Sequence, residues 1–336
     1  MCVKGFICGN IVENRVATVI PQNRIDRIKQ YMELSEEIIG VHNIEQHKDR
    51  LHDAEIMWST WGIERFNKEQ LGQYFPRLKA VFYCAGSVQC FARPFLERGI
   101  RVFSAWGANA VPVGEYTLGA ILLATKGGFK AIQSTRLNFG RTRRYCSLHS
   151  GAYRSSVGLI GLGMIGGVVA EKLQHFDMEV LAYDPFASTE KAERLGVTLV
   201  DDLPDLFSRC DVISNHLADN DKTKNMLNYP LFSKMKPYAT FINTARGAQV
   251  VEKDLTRALR EVKTRTAFLD VTVREPVSIF NSLYWRPNAV FTPHIAGSMG
   301  GERVRMADYM IEEFLRFSKN ESCLYEITPP MLTTMA

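Results

Sequence analysis

Short apolar runs alternate with amphipathic segments along most of this chain. Up to residue 105, the runs predict buried strands at Val3–Cys8, Glu37–Val41, Glu55–Ser59, Leu78–Cys84 and Ile100–Ser104. Between them, apolar residues recur at helical spacing in Asn23–Met32, Ile44–Leu51, Lys68–Tyr74 and Cys90–Glu97. Repeated alternation of strand and helix predicts a parallel sheet with helices on both faces.

The same alternation resumes at about Ser156. The predicted strands are Val157–Ile160, Glu179–Tyr183, Asp211–Asn215, Thr240–Asn243, Thr266–Leu269 and Val290–Thr292. Helical spacing also extends from Val111 to about Ser134 and from Glu302 to Phe317. Residues 138–156 are basic and lack periodicity, so we expect an exposed connection there, and we expect no regular element in the tail at 326–336.

Composition limits the classes of protein to consider. A chain of 336 residues, 46% apolar and 23% charged, is typical of a globular protein of about two domains. No apolar run approaches the ~20 residues that cross a bilayer, and the N-terminus lacks a signal-peptide core. The net charge of +5 is spread along the chain, with one tight basic cluster at Arg141, Arg143 and Arg144. We therefore expect no membrane partner and no nucleic acid partner.

The cysteines indicate a reducing compartment. Their number, 7, is odd, and their spacing matches neither a disulfide framework nor a metal site. Reduced thiols and a cytoplasmic location fit this pattern best, and we expect no metal.

Three glycines mark a turn for binding a dinucleotide. Gly161, Gly163 and Gly166 follow a short apolar strand and precede a helical segment, and Asp184 ends the next predicted strand. This order fits a tight turn, close approach of the backbone to a pyrophosphate, close packing of helix on strand, and an acid that binds the adenosine ribose. The helix N-terminus adds free N–H groups and a partial positive charge. The motif predicts a dinucleotide cofactor.

Three polar residues just past buried strands could carry the chemistry. They are Arg246, Glu275 and His294. Functional groups collect at the strand ends of α/β sheets. Reduction of a carbonyl needs a proton donor such as histidine, an acid to fix the tautomer of that histidine, and a planar cation to bind a carboxylate.

The motifs together resemble the D-isomer-specific 2-hydroxyacid dehydrogenases. The matching segments occur in the order of that family, at 78–86, 114–118, 161–166, 183–185, 243–247, 270–276 and 292–295. The resemblance implies an enzyme that interconverts a 2-keto acid and a D-2-hydroxy acid by hydride transfer with NAD. It also implies a homodimer paired through the nucleotide-binding domains.

The family implies a role for each matched residue. Arg246 would bind the substrate carboxylate, His294 would be the acid–base group, and Glu275 would be its partner. The cofactor contacts would be Gly161, Gly163, Met164, Ile165, Gly166, Asp184, Thr244, Ala245, Asp270 and Gly297. The substrate contacts would be Ala85, Gly86 and Ser87 together with Arg246.

The resemblance also implies the architecture. The fold class would be α/β, with two similar doubly wound parallel-sheet domains. Residues 1–108 and 298–336 would form a flavodoxin-like substrate (catalytic) domain. Residues 109–297 would form a Rossmann NAD-binding domain.

Other functions and the identity of the substrate stay open at this point. An NAD(H)-sensing binding protein of the corepressor type would share the same fold and the same polar residues. A formate dehydrogenase is disfavoured, because that branch pairs its histidine with glutamine and this chain has Glu275. The branch of this family that oxidises 3-phosphoglycerate has a cation after the third strand of its first domain, where it meets the phosphate. The corresponding stretch of this chain, 57–62, contains no arginine or lysine. We therefore predict a small or apolar keto acid, such as glyoxylate, hydroxypyruvate or a phenyl-type acid, and poor use of 3-phosphoglycerate.

Overall fold

The chain divides into two compact units, residues 1–109 with 298–336 and residues 110–297. The computed structural model describes residues 3–10 and 15–333. The strands are β1 Lys4–Cys8, β2 Glu33–Ile39, β3 Ile56–Ser59, β4 Ala80–Tyr83, β5 Arg101–Ser104, β6 Ser156–Ile160, β7 Glu179–Tyr183, β8 Thr198–Leu199, β9 Val212–Asn215, β10 Thr240–Asn243, β11 Thr266–Leu269, β12 Ala289–Phe291 and β13 Glu326–Ile327.

Helices occupy most of the connections between these strands. They are α1 Val16–Val19, α2 Gln22–Lys29, α3 Lys48–His52, α4 Lys68–Tyr74, α5 Ala92–Glu97, α6 Trp106–Ala124, α7 Gly128–Ser134, α8 Phe139–Cys146, α9 Met164–Leu173, α10 Thr189–Arg194, α11 Leu203–Arg209, α12 Tyr229–Phe232, α13 Glu252–Glu261 and α14 Val304–Ser318. Short 3₁₀ turns lie at 44–47, 247–249, 300–303 and 329–333.

The sheet of the first unit has the strand order β2-β1-β3-β4-β5-β13. Its strands are parallel except for the short β13, which runs antiparallel to β5. The order 2-1-3-4-5 is that of flavodoxin-like sheets. Phe6 of β1 belongs to one apolar cluster and its neighbour Ile7 to another, so both faces of this sheet are buried.

The sheet of the second unit is parallel throughout, in the order β8-β7-β6-β9-β10-β11-β12. Counted from β6 this is the Rossmann order, which reverses direction between β6 and β9. Leu159 and Ile160 of β6 lie in different apolar clusters, so this sheet is also covered on both faces. The predicted fold class, α/β with two doubly wound parallel sheets, is confirmed. Ligands bind such sheets outside the carboxyl ends of the strands, where the order reverses.

The prediction of an irregular connection at 138–156 is wrong for residues 139–146, which form the eight-residue helix α8. The side chain of Asn138 caps this helix by accepting a hydrogen bond from the amide of Arg141 at 2.9 Å. Tyr145, near its other end, donates its hydroxyl hydrogen to the carbonyl oxygen of Thr264 at 3.0 Å. A cap and a distant anchor therefore form a helix that hydrophobic periodicity does not reveal.

The expectation of an irregular tail is also wrong for part of it. Residues 326 and 327 form β13, which pairs with Phe103 and Val102 of β5. A strand of two residues has too little sequence for a period-2 pattern, so its partner in the sheet defines it. The tail positions after residue 333 lie outside the described residues.

Candidate active site

The glycine turn between β6 and α9 is shaped by close backbone contacts. Gly161 has φ +92°, and a Cβ on it would lie 3.0 Å from the carbonyl oxygen of His216. A Cβ on Gly166 would lie 2.0 Å from the carbonyl oxygen of Gly161, so helix and strand meet where a side chain cannot fit. A Cβ on Gly163 would meet no atom within 4 Å. The turn therefore leaves open space directly before the N-terminus of α9, as a bound pyrophosphate requires.

Asp184 follows β7 and lies beside this turn. Its Oδ2 accepts a hydrogen bond from the amide of Leu162 at 2.8 Å, and its Oδ1 accepts one from the amide of Phe186 at 2.9 Å. The carboxylate thus fixes the glycine turn and keeps further acceptor capacity on both oxygens. Met164 and Ile165 are the first two residues of α9, and the Met164 side chain is half exposed.

The structure brings His294 and Glu275 together. The two residues lie in separate loops, and His294 Nδ1 is 2.8 Å from Glu275 Oε2. His294 Nε2 makes no hydrogen bond with any described residue, so this nitrogen is available for proton transfer. His294 has φ +54°, in the left-handed region that non-glycine residues rarely adopt, so other contacts must hold it there.

Asp270, at the end of β11, supplies those contacts. Its carbonyl oxygen accepts a hydrogen bond from the amide of His294 at 3.0 Å. Its carboxylate accepts one from the amide of Ile295 and one from the amide of Ala296, each at 2.9 Å. The same carboxylate accepts a third from the Thr292 hydroxyl at 2.6 Å. Asp270 therefore anchors the loop that carries His294, and Gly297 follows directly after this loop.

Tyr116 of α6 extends this anchor, and sequence reasoning did not find it. Its hydroxyl donates to the Thr292 hydroxyl at 2.9 Å, and Thr292 donates to Asp270. Burial raises the pKa of Tyr116 above its ordinary value. The phenol therefore stays protonated at physiological pH and keeps its hydrogen bond to Thr292. Because Tyr116 and Thr292 are 176 positions apart, no local sequence signal could have paired them.

Arg246 follows β10, the strand that pairs with β11. One of its guanidinium nitrogens donates to the carbonyl oxygen of Ala245 at 2.7 Å, and the side chain is partly buried. A Cβ on the next residue, Gly247, would lie 2.0 Å from the carbonyl carbon of Thr272, so the segment after β10 packs directly on the segment that leads to Glu275. Thr244 is buried, and its hydroxyl lies 3.0 Å from the Thr117 hydroxyl.

The predicted substrate residues of the first unit follow β4. The carbonyl oxygen of Ala85 accepts hydrogen bonds from the amide of Ala105 at 3.0 Å and from the Ser104 hydroxyl at 2.8 Å. The amide groups of Ala85, Gly86 and Ser87 donate to no described residue. Three free amides in sequence fit the recognition of a carboxylate.

A buried amide network at the strand ends was also missed. Asn215 Nδ2 donates to Asn243 Oδ1 at 3.0 Å and to Gln249 Oε1 at 2.6 Å. Gln249 Nε2 in turn donates to the carbonyl oxygens of Leu217 and Ala218, each at 2.9 Å. This network joins the ends of β9 and β10, beside the reversal of strand order. Asn215 and Asn243 each end a buried strand, and that position was the available signal.

His216, next to Asn215, is buried beneath the glycine turn. Neither of its ring nitrogens has a hydrogen-bond partner among the described residues. Burial lowers the pKa of His216 from 6.5 to about 3, because a charged ring there would lose its hydration without a partner to replace it. His216 is therefore neutral in the folded protein at physiological pH.

Acid is expected to destabilise the folded protein through His216. An unfolded chain binds this proton below about pH 6.5 and the folded chain does not, so this contribution is complete above that pH and is lost as the pH falls toward 3. Between pH 7.5 and 5.0 the free energy of unfolding should fall by about 2 kcal/mol more in the wild type than in His216→Gln. Urea unfolding measures this, and His175→Gln, at an exposed position in the same unit, should behave like the wild type. Equal losses in His216→Gln and the wild type would contradict the assignment.

Metal-binding clusters and membrane-spanning helices are absent from the described residues. No group of three or more histidine, cysteine or acidic side chains there could hold a metal ion. In the same part of the chain, no helix combines the length and apolar character needed to cross a membrane.

Comparison with known proteins places these residues in a family. A family model described as "D-isomer specific 2-hydroxyacid dehydrogenase, NAD binding domain" matches residues 118–296, more than half of the chain. The D-3-phosphoglycerate dehydrogenase of Methanocaldococcus jannaschii is 34% identical over 220 residues, which are 66% of this chain and 41% of that protein. The glyoxylate reductase of Korarchaeum cryptofilum is 27% identical over 318 residues, 91% of this chain and 92% of that protein.

The chain spans about two fifths of the length of that phosphoglycerate dehydrogenase and of two others. Among solved structures, the D-mandelate dehydrogenase of Rhodotorula graminis aligns with a TM-score of 0.80 at 20% identity and covers 98% of each chain. At this identity the likeness concerns the fold alone. The family match confirms NAD as the predicted cofactor.

Proposed function

The chain belongs to the family of D-isomer specific 2-hydroxyacid dehydrogenases, and on that premise we propose that it is an oxidoreductase that interconverts a 2-keto acid and a D-2-hydroxy acid with NAD. We assign cofactor binding to the unit of residues 110–297 and substrate binding to the unit of residues 1–109 and 298–336. The observation that carries the proposal is the 2.8 Å contact between His294 Nδ1 and Glu275 Oε2 in a loop anchored by Asp270. A structural ion pair would not need a histidine held in the left-handed region.

The residues of the second unit fit the proposed cofactor. Gly163 leaves the space that a pyrophosphate needs, and the carboxylate of Asp184 can accept hydrogen bonds from ribose hydroxyls. When bound, NADH supplies the hydride that reduces the 2-keto carbon. Thr244, Ala245, Asp270 and Gly297 stay proposed cofactor contacts.

The protein's own residues handle the carboxylate and the proton. Arg246 binds the substrate carboxylate through its remaining guanidinium N–H groups. The amides of Ala85, Gly86 and Ser87 in the first unit stay proposed substrate contacts. Nε2 of protonated His294 gives its proton to the carbonyl oxygen as that oxygen gains negative charge. Glu275 accepts a hydrogen bond from Nδ1–H throughout, so the transferred proton is always the one on Nε2. In the reverse direction, neutral His294 takes the hydroxyl proton.

The test is turnover of a panel of keto acids, followed by absorbance at 340 nm. The panel contains glyoxylate, hydroxypyruvate, pyruvate and phenylpyruvate, each with NADH. Oxidation of NADH that depends on one of these acids is the expected result. Tight NADH binding with no turnover of any acid would refute the proposal and would favour the NAD(H)-sensing alternative, which the dehydrogenase and reductase relatives do not support.

We expect NADH to be preferred over NADPH. The carboxylate of Asp184 lies at the end of β7 and would repel a 2′-phosphate on the adenosine ribose. Parallel measurements of kcat/KM with NADH and NADPH, on whichever keto acid is best, test this. Asp184→Ser should narrow the difference in kcat/KM between NADH and NADPH, because it removes the negative charge that repels the 2′-phosphate. Equal or better kinetics of the wild type with NADPH would contradict the prediction.

We also expect hydroxypyruvate to be used better than phosphohydroxypyruvate. Along the stretch 57–62, Trp58 is fully buried, and the hydroxyls of Ser59 and Thr60 already donate to backbone carbonyl oxygens at 2.7 and 2.9 Å. A phosphate placed there without a cation would cost several kcal/mol. The structure places a cation beside this stretch in Arg15, whose guanidinium lies over the Trp61 ring at 5.8 Å from its centre. Arg15 is therefore the residue to test first if a phosphorylated acid is used.

Comparison of kcat/KM for the two acids tests this prediction, and we expect a ratio of at least about tenfold in favour of hydroxypyruvate, as an uncompensated charge implies. A preference for the phosphorylated acid would overturn it. In that case Arg15→Gln would test the cation near Trp61, and substitution of Arg141, Arg143 and Arg144 would test the exposed cluster on α8.

We further propose a homodimer and a cytoplasmic location. The resemblance supports pairing through the second unit, and sedimentation at micromolar concentration should give about twice the chain mass of 38.0 kDa. Six cysteines are free thiols in the described residues, which supports a reducing compartment.

A further inference from the structure

Glu252 is the first residue of α13, and its carboxylate binds a different part of the chain. Its Oε1 accepts a hydrogen bond from the amide of Val273 at 2.8 Å, and its Oε2 accepts one from the side-chain amide of Asn281. Both partners belong to the segment 271–288, which connects β11 to β12 and carries Glu275. One carboxylate therefore tethers this segment at two points. The contact with Val273 is the first tether, and the contact with Asn281 is the second tether.

The segment has little apolar packing to hold it. Val273, Ile279 and Phe280 are 60%, 58% and 94% exposed. Leu283 is fully buried, and its amide donates to Asn281 Oδ1 at 3.0 Å, so the second tether reaches the point where the segment enters the core. Because exposed side chains contribute little to fixing a loop, polar contacts decide the path of residues 273–280.

The first tether lies two residues from Glu275. The Thr272 hydroxyl donates to the carbonyl oxygen of Arg274 at 2.7 Å, and this contact closes a tight turn around Val273. The amide of Thr272 lies 3.4 Å from Glu275 Oε1, while Glu275 Oε2 faces His294. The position of Val273 thus determines where the carboxylate of Glu275 stands relative to the imidazole.

We propose that Glu252 is a positioning residue, which sets the carboxylate of Glu275 against His294 through Val273 and Asn281. This inference rests on the proposed function. Glu252 touches neither substrate nor cofactor in this proposal. Without it, the turn at 272–275 would sample several conformations, and the imidazolium of His294 would lose part of its stabilisation.

A simpler role for Glu252 is stabilisation of its own helix, since an acid in the first turn interacts favourably with the helix dipole. The chain offers a matched control for that role. Asp254 lies in the same first turn of α13, and its Oδ2 accepts a hydrogen bond from the amide of Tyr229 at 3.0 Å. Asp254 therefore shares the helix effect but holds a segment that does not carry Glu275.

The experiment compares Glu252→Ala, Glu252→Gln, Asp254→Asn and Glu275→Gln with the wild type in two measurements. The first is the pH dependence of kcat for reduction of the best keto acid. The second is the NMR titration of His294 in ¹⁵N-histidine-labelled protein without substrate, with the signal assigned by its absence in His294→Ala.

Glu252→Ala should lower kcat by roughly 10- to 100-fold, because small misplacement of a catalytic group has effects of this size. KM for NADH should stay within about twofold of the wild type, since cofactor contacts are untouched. Glu252→Ala should also move the titration midpoint of His294 to lower pH, in the same direction as Glu275→Gln. Glu252→Gln should have a smaller effect, because the amide oxygen can still accept from Val273. Asp254→Asn should move neither the midpoint nor kcat.

The other results would overturn the inference in distinguishable ways. If Glu275→Gln moves the midpoint and Glu252→Ala does not, Glu252 has no positioning role. Equal shifts in Glu252→Gln and Glu252→Ala would mean that its charge acts directly and that the tether is irrelevant. If Glu252→Ala does not fold, absence of any shift in Glu252→Gln overturns the proposal. If Glu275→Gln leaves the titration midpoint of His294 unchanged, the acid–base pair itself is refuted. If no keto acid is turned over but the midpoints shift as expected, only the proposed reaction is refuted.

Discussion

Replacement of His294 by alanine is expected to lower kcat for keto-acid reduction by roughly 10²–10⁴-fold, the usual contribution of a positioned general acid. The loss follows from removal of the imidazole that the loop anchored by Asp270 presents as the general acid. Affinity for NADH should change little, because the turn at Gly161, Gly163 and Gly166 is in a different loop. Stopped-flow or steady-state kinetics and a fluorescence titration with NADH give the two quantities separately.

Substitution of Glu275, the partner of His294, provides a second test through the pH dependence of activity. Reduction needs protonated His294, so activity falls as the pH rises through the midpoint of its titration. Glu275→Gln removes the negative charge 2.8 Å from Nδ1 and should move this fall to lower pH. His175→Ala, at an exposed position in the same unit, is the control and should leave the profile unchanged. A profile of Glu275→Gln that coincides with the wild type would disprove the pairing.

Substitution of Gly163 by alanine is expected to weaken NADH binding by roughly 5- to 150-fold without unfolding the protein. A Cβ at this position meets no protein atom within 4 Å, so the folded chain can accommodate it. The methyl group would instead fill the space before α9 that a pyrophosphate needs, and overpacking of this kind costs about 1–3 kcal/mol. Isothermal titration with NADH, together with thermal unfolding of the unliganded protein, measures both sides of the prediction.

Two neighbouring glycines serve as controls for Gly163. Gly167 lies inside α9, and a Cβ on it would also meet nothing within 4 Å, so Gly167→Ala should bind NADH normally and should be slightly more stable, by up to about 1 kcal/mol. Gly166→Ala would place a methyl group 2.0 Å from the carbonyl oxygen of Gly161 and should lower stability as well as binding. Normal NADH affinity in Gly163→Ala would show that the cofactor does not approach this position.

The glycine turn was predictable from sequence because its determinants are local. Gly161 is required by its own positive φ, and Gly166 by the carbonyl oxygen of Gly161 five residues earlier. The strand before the turn and the helix after it have clear apolar patterns. The α/β class was predictable for the same reason, since buried parallel strands are continuous apolar runs. The positions of Arg246, Glu275 and His294 after such runs made them candidates, because parallel strands end at the same edge of a sheet.

The contacts that hold these candidates in place were decided only by the tertiary structure. Tyr116 reaches Thr292 across 176 positions, and Glu252 reaches Val273 across 21, so their pairing depends on which helix packs beside which strand. The helix at 139–146 and the strand at 326–327 likewise depend on distant partners in Thr264 and in β5. A hydrogen bond between distant residues stabilises a segment only after the elements that carry them have packed, so a single sequence can identify the residues capable of chemistry but not the residues that position them.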